Sequence, residues 1–211
     1  MIFKELDPPD WEQLTSVTQR RADEQMPYYL RRYFGTSTEV DVLNQLCVRT
    51  GGITTRVDHV ILHPYGLIVV DSRSVAGAYR VHADGNWLPV QRHLRERQAL
   101  PCPVRAVQAQ AASLKDFLVK KVRQKAFFER CAFDVLVAVP DTDAIDWDGA
   151  DPLPQVCNAD QVAREVHACM ARHAAAAERR PPLVPLQRRR LGEFLCFKHQ
   201  PALAAQPFDE P

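Results

Sequence analysis

The sequence predicts an α/β fold, a central mixed β-sheet flanked by helices. Three stretches of the 211-residue chain carry that prediction. Ile53 to Ser72 reads as two apolar strands joined by a proline–glycine turn. Pro103 to Lys121 reads as an amphipathic helix with proline in its first turn, and Phe133 to Pro140 as a short buried strand. The order is helix, strand meander, helix, strand, helix, and the length suffices to bury a core.

From the amino terminus, Asp10 to Phe34 is polar and largely helical in pattern, interrupted by Pro27. In the next segment Thr36 or Ser37 can cap, and Val40, Leu43, Leu46 and Cys47 fall at helical spacing. That spacing predicts a helix from about Ser37 to Arg49, stopped by Gly51-Gly52. Strands follow at Ile53–Leu62 and Leu67–Ser72, with Pro64 and Gly66 forming the turn. "GAYRVHADGNWLPV" predicts a hairpin about Asp84-Gly85. After the strand at Phe133, "DTDAIDWDGADPLP" reads as a solvated acidic loop, leading to a brief strand near Val156 and a helix from Asn158 to about Ala175. "ERRPPLVP" reads as a linker, "LQRRRLGEFLCF" as a last basic helix, and the remaining tail has little to order it.

Composition excludes more than it assigns. Net charge is +1, so bulk charge argues for neither a nucleic-acid partner nor an acidic substrate. The six cysteines form no CxxC pair, which argues against a structural zinc site and for reduced thiols in a cytoplasmic protein without a signal peptide. Apolar runs fall short of the ~18 residues of a membrane helix. There is no Gly-rich phosphate loop.

The informative stretch is "RVDHVILHPYGLIVVDSR", Arg56 to Arg73, which places a carboxylate in each of two core strands. Counting outward from the turn brings Asp58 close to Asp71, and alternation sets Asp71 and Arg73 on one face. Two carboxylates brought together repel unless a cation joins them, and oxygen-rich pairs with water suit Mg²⁺. The alternative is a pair of strand-end aspartates that cap turns or meet arginine on a wet surface. Spacing leaves both readings open. His59 follows Asp58 and faces the other side, as a structural residue; His63, beside the turn, is expected to be solvated.

Four segments in combination carry a family likeness: "GTSTE" (Gly35–Glu39), "TTRVDHVILHPYGLIVVDSR", "GAYRVHADGNW" and "CPVRAVQAQAASLKDFL". With "FDVLVAVPD" and "LPQVCNADQVAREV" closing the core, Gly35 to His173 resembles the nuclease-related domain (NERD) family, a branch of the PD-(D/E)xK nuclease superfamily. The resemblance implies a restriction-endonuclease-like core and a phosphodiesterase site using Mg²⁺ or Mn²⁺. It implies Glu39, Asp58 and Asp71 as metal-binding acids, with Arg73 in place of the catalytic lysine. Arginine stays protonated and offers charge and a fork of donors rather than a base. The helix departs too, with Cys102 where asparagine is usual and Ala106 at the glutamine position, Gln108 and Gln110 lying nearby.

The expectation is therefore a metal-dependent nuclease, DNA foremost. Its alternative is a catalytically degenerate domain of the same fold that binds DNA or a protein partner, as in a defence or mobile-element system, or a further copy of itself. Arg188, Arg189, Arg190 and Gln108 are candidate nucleic-acid contacts. The expected organisation is a helical extension over 1–34, a nuclease-like domain over 35–176 and a basic, partly disordered extension over 177–211.

Overall fold

The computed structural model describes residues 1–8, 17–72, 78–82, 86–90, 101–123, 125–141, 145–176 and 182–201. Arg73, the Asp84-Gly85 turn, most of the linker before Leu183 and the tail after Pro201 lie outside the described residues. The main sheet has six strands in the order β1-β2-β3-β4-β7-β9. β2 (Asp41–Thr50), β3 (Ile53–His63) and β4 (Gly66–Ser72) form an antiparallel meander. β1 (Ile2–Lys4) joins β2 in parallel, while β7 (Ala132–Val139) and then β9 (Val156–Asn158) extend the other side in parallel. This is the mixed sheet flanked by helices that the sequence predicts, with a nuclease-like core.

Each face of the sheet carries a helical layer. α2 (Pro103–Lys121) buries Val107, Ala111, Leu114 and Leu118 against Val60, Leu62, Leu67 and Val69, and α5 (Pro185–Lys198) adds Leu191 and Leu195. On the other face α1 (Val17–Phe34) contributes Met26, Leu30 and Phe34, and α4 (Val162–Ala175) contributes Val162, Val166 and Met170, against Val42, Ile61, Ile68 and Val70. α3 (Lys125–Arg130) joins α2 to β7. β5 (Ala78–Val81), β6 (Trp87–Val90) and β8 (Ile145–Asp146) make a separate three-stranded sheet whose Tyr79, Val81 and Trp87 pack around Val139.

The segment predicted as a helix over Ser37–Arg49 is strand β2. Asp41 to Val48 is buried throughout except at Gln45, and it pairs with β3 over nine register positions. A strand covered on both faces reads as a continuous apolar run, from which helical spacing can be picked by coincidence. Gly51 and Gly52 end no helix; at φ +57° and +89° they form the two-residue turn between Thr50 and Ile53. The elements absent from the prediction, β1, α3 and β8, are three, six and two residues long, too short to show a period.

Two local constraints fix the frame. At Gly66 an added Cβ would lie 2.1 Å from the carbonyl oxygen of Ala132, so only glycine lets β4 begin against β7. Arg188, predicted as a phosphate contact, is instead only 4% exposed. Its Nε donates to Asp41 Oδ2 at 2.6 Å and a terminal nitrogen donates to the Thr38 carbonyl. Helix formation from Pro185 turns that arginine inward with Leu191 and Leu195, while Arg189 and Arg190 stay exposed. α5 is closed further by His199, whose Nδ1 accepts the Cys47 N–H at 3.1 Å.

Replacing Arg188 by Met leaves the buried Asp41 with only the amino-terminal ammonium, 3.5 Å away, so urea denaturation should show a loss of up to about 3–5 kcal/mol. Arg189→Met, on an exposed ion pair with Glu193, should change stability by less than about 0.5 kcal/mol. Gly66→Ala should destabilise by at least about 1–3 kcal/mol, because the obstructing atom is main chain.

Candidate functional site on two central strands

β3 and β4 are held in register by five pairs running from His63↔Gly66 to His59↔Val70. The next step along that ladder sets Asp58 opposite Asp71, and directly opposed residues share a face. Both aspartates are half-buried. Ser72 fixes the first of them: its N–H donates to Asp58 Oδ2 at 2.9 Å, and its hydroxyl lies 3.3 Å from the same oxygen. On its other side Asp71 is level with Val137 of β7, so the two acids sit on neighbouring strands toward the carboxyl end of β4.

The sheet departs from regular pleating beside Asp58. β2 and β3 pair at Asn44↔His59 and again at Leu46↔Val57, with no pair between Gln45 and Asp58. Gln45 adopts φ +50°, the only positive φ outside glycine among the described residues. Strict alternation would send Leu43 and Leu46 to opposite faces, yet both join the core under α2, as do Val60 and Val57. The left-handed residue resets the alternation, and Asp58 lies opposite that reset, where its carboxylate is spared full burial.

Behind the acids runs a polar chain across three strands. His59 is 2% exposed. Its Nδ1 lies 2.8 Å from Asn44 Oδ1 and its Nε2 3.1 Å from Ser72 Oγ. Burial pulls its pKa down to about 3, so the ring is neutral at pH 7. The consistent tautomer has Nδ1–H donating to Asn44 and Nε2 accepting from the Ser72 hydroxyl. His59 is thus a buried brace that orients Ser72, which in turn orients Asp58.

The other expected site residues separate. Glu39 is exposed in the bend before β2, where its N–H donates to Ser37 Oγ at 3.2 Å. Because Asp41 pairs with Leu62, Glu39 lies beyond the turn end of β3, at least ~13 Å along the strand from Asp58. It is not brought to the two aspartates. Gln108 is exposed on α2 and lines a cleft along the outer edge of β7. His63 is fully buried rather than solvated, its ring stacks on His173 at 6.0 Å, and burial lowers its pKa to about 4. Among the described residues, no group of three or more His, Cys, Asp or Glu side chains is arranged to hold a metal ion. Two opposed carboxylates remain, a hard oxygen pair that fits Mg²⁺ or Mn²⁺ when water and phosphate oxygens complete the shell.

One anchor at this end escapes the sequence reading. Asp141, two positions after the end of β7 and expected in a solvated loop, accepts hydrogen bonds from the Tyr29 hydroxyl, from Gln25 Nε2 at 3.2 Å and from the Asp160 N–H at 2.9 Å. The hydrogen bond to Asp141 pushes the Tyr29 pKa up to about 12. It ties α1 and the start of α4 to the strand end beside Asp71. Nothing in the local pattern distinguishes Asp141 from the other acids of its loop, since its donors come from α1 and from Asp160.

A six-stranded mixed sheet with a helical layer on each face is a nuclease-like core. Residues 18–139 match the nuclease-related domain, NERD, and the chain belongs to that family, one of the PD-(D/E)xK-like nucleases. The match begins inside α1, well before Gly35. No curated protein and no solved structure matches the chain. Among the described residues, no helix is long and apolar enough to cross a membrane.

The neutral histidines make stability depend on pH. His59 and His63 have folded pKa values near 3 and 4 against 6.5 when unfolded. The unfolded chain therefore binds more protons below pH 6.5, and stability falls as pH drops through that value. Each should cost about 2 kcal/mol between pH 6.5 and 4.5. Urea midpoints across this range should show the loss, and His59→Gln should flatten the slope by about one proton.

Proposed function

We propose that this chain hydrolyses phosphodiester bonds in nucleic acid, DNA foremost, with Asp58 and Asp71 holding Mg²⁺ or Mn²⁺. The observation that carries the reading is the β3–β4 register, which opposes two half-buried carboxylates at one strand end. Ionised carboxylates so placed repel each other and are relieved by a cation between them. A bound divalent ion would supply Lewis-acid polarisation of the phosphate and a bound water of lowered pKa. The chain's own residues do the rest. Ser72 orients Asp58 through its N–H, and the buried ring of His59 holds the Ser72 hydroxyl in place. Arg73, two positions after Asp71, would offer a permanent positive charge to the phosphate, stabilising negative charge as the bond breaks. It cannot take a proton from the attacking water, so that proton passes to solvent or to a phosphate oxygen. Glu39 has no part in this scheme because of its place at the other end of β3.

A second reading keeps the fold and drops the chemistry. Asp58 Oδ2 already accepts the Ser72 N–H, and no third potential ligand converges among the described residues. Both features favour a domain that holds DNA or a protein partner without cutting.

Incubating the protein with supercoiled plasmid and Mg²⁺ or Mn²⁺ separates the readings. Cleavage that needs metal and falls to background in Asp58→Asn and Asp71→Asn is the expected result. Ser72→Ala, which removes only the hydroxyl brace, should cost roughly tenfold in activity or metal affinity. A wild type that neither cuts nor takes up Mn²⁺ in calorimetry sinks the nuclease reading and leaves the binding module.

A further inference from the structure

A cleft of about 570 Å³ opens along the edge of β7 away from β4, between α2 and α4. β4 pairs with β7 along Ala132–Ala138, but β9 covers the other side only from Val137 to Val139. Phe133 to Leu136 therefore border the cleft with their outer edge. The Val137 N–H donates to the Gln155 carbonyl at 2.8 Å, so its main-chain groups point away from β4. Alternation points those of Val135 and Phe133 the same way. Among the described residues, no hydrogen bond to these outward groups is present.

The walls match that edge. α2 lines the cleft with Ala111 and Ala112, and α4 with Cys169. These are small side chains that leave room above and below the plane of the sheet. The charged groups at its margins are already engaged within the chain. Lys115 donates to the Glu129 carbonyl at 3.1 Å, and Asp134 meets His173 at 2.6 Å. Arg172 lies 2.9 Å from Cys169 Sγ, and Glu165 pairs with Arg164. A phosphate or a small ion would have to break those pairs. What the cleft offers without rearrangement is main-chain donors and acceptors between walls that combine small side chains with Gln108 and the engaged charges.

We propose that this edge takes up an extended peptide segment of a partner protein as an added strand, in the lane that β9 leaves open among the described residues. Main-chain hydrogen bonds to Phe133 and Val135 supply the affinity, and alternate side chains of the peptide enter the α2 and α4 walls. The four-residue edge is ~13 Å long, enough for a short strand and no more. The overhanging helices keep the edge from pairing with flat sheets, which limits it to a single strand. This binding mode does not depend on the nuclease reading.

The test is an amide titration of the full chain by ¹H–¹⁵N spectroscopy, with an acetylated and amidated heptapeptide alternating valine and threonine. The expected result is shifts centred on the Phe133 and Val135 amides and slowed exchange of the Val135 N–H. Val135→Pro deletes an outward N–H that the β4 ladder does not use, and should weaken binding at least about tenfold. Val135→Ala should bind within about threefold of wild type. The same peptide N-methylated at every residue, so that neither edge can donate, should not bind the unaltered protein, a check independent of any variant's folding. No shift at millimolar peptide, or equal binding by the N-methylated peptide, overturns the proposal.

Discussion

The register between β3 and β4 is the constraint on which the candidate site rests. A slip of one residue would exchange the faces of every side chain on β4 and carry Asp71 away from Asp58. Three features hold it. Pro64 and Tyr65 close the turn between His63 and Gly66. Gly66 alone fits against the Ala132 carbonyl. The opposed pairs Val60↔Val69 and Ile61↔Ile68 bury into different faces of the sheet. The same pattern that drives hydrophobic burial thus delivers the carboxylates to their place.

The polar elements near the acids are built to hold rather than to react. His59 is neutral and bonded through both ring nitrogens, and Asp141 is surrounded by three donors. Such satisfied groups tolerate burial, whereas a half-satisfied network would be costly. Gln45 is the one non-glycine left-handed residue among the described residues, and it sits across from Asp58. Local strain of this kind persists only where surrounding packing over-determines it.

Much of this was legible in the sequence. The strand pair, the turn and α2 from Pro103 to Lys121 followed from alternation and proline placement. What failed did so where one-dimensional pattern has two solutions or none. β2 is apolar on both faces, so Val40, Leu43, Leu46 and Cys47 mimic a helical stripe. Arg188 stands in a basic run that reads as surface, and only its partner Asp41, 147 positions earlier, turns it inward. The placement of Glu39 depended on the helix that proved to be β2; once that segment is a strand, its preceding bend lies at the wrong end. His63 reads as a turn residue because the helix that covers it, α4, comes more than a hundred residues later.

The Asp41–Arg188 pair also bears on how the molecule is made. β2 and β3 emerge early in synthesis, and their own hairpin can close as soon as Gly51 and Gly52 are out. The carboxylate that β2 buries then has no arginine until α5, 147 positions later, has been made. A nascent chain stalled before α5 would hold Asp41 hydrated and leave the α2 face of the sheet uncovered at Leu191 and Leu195. Completion of the core is thereby coupled to the arrival of α5, so folding of this domain waits on a segment far downstream of the strands it packs against.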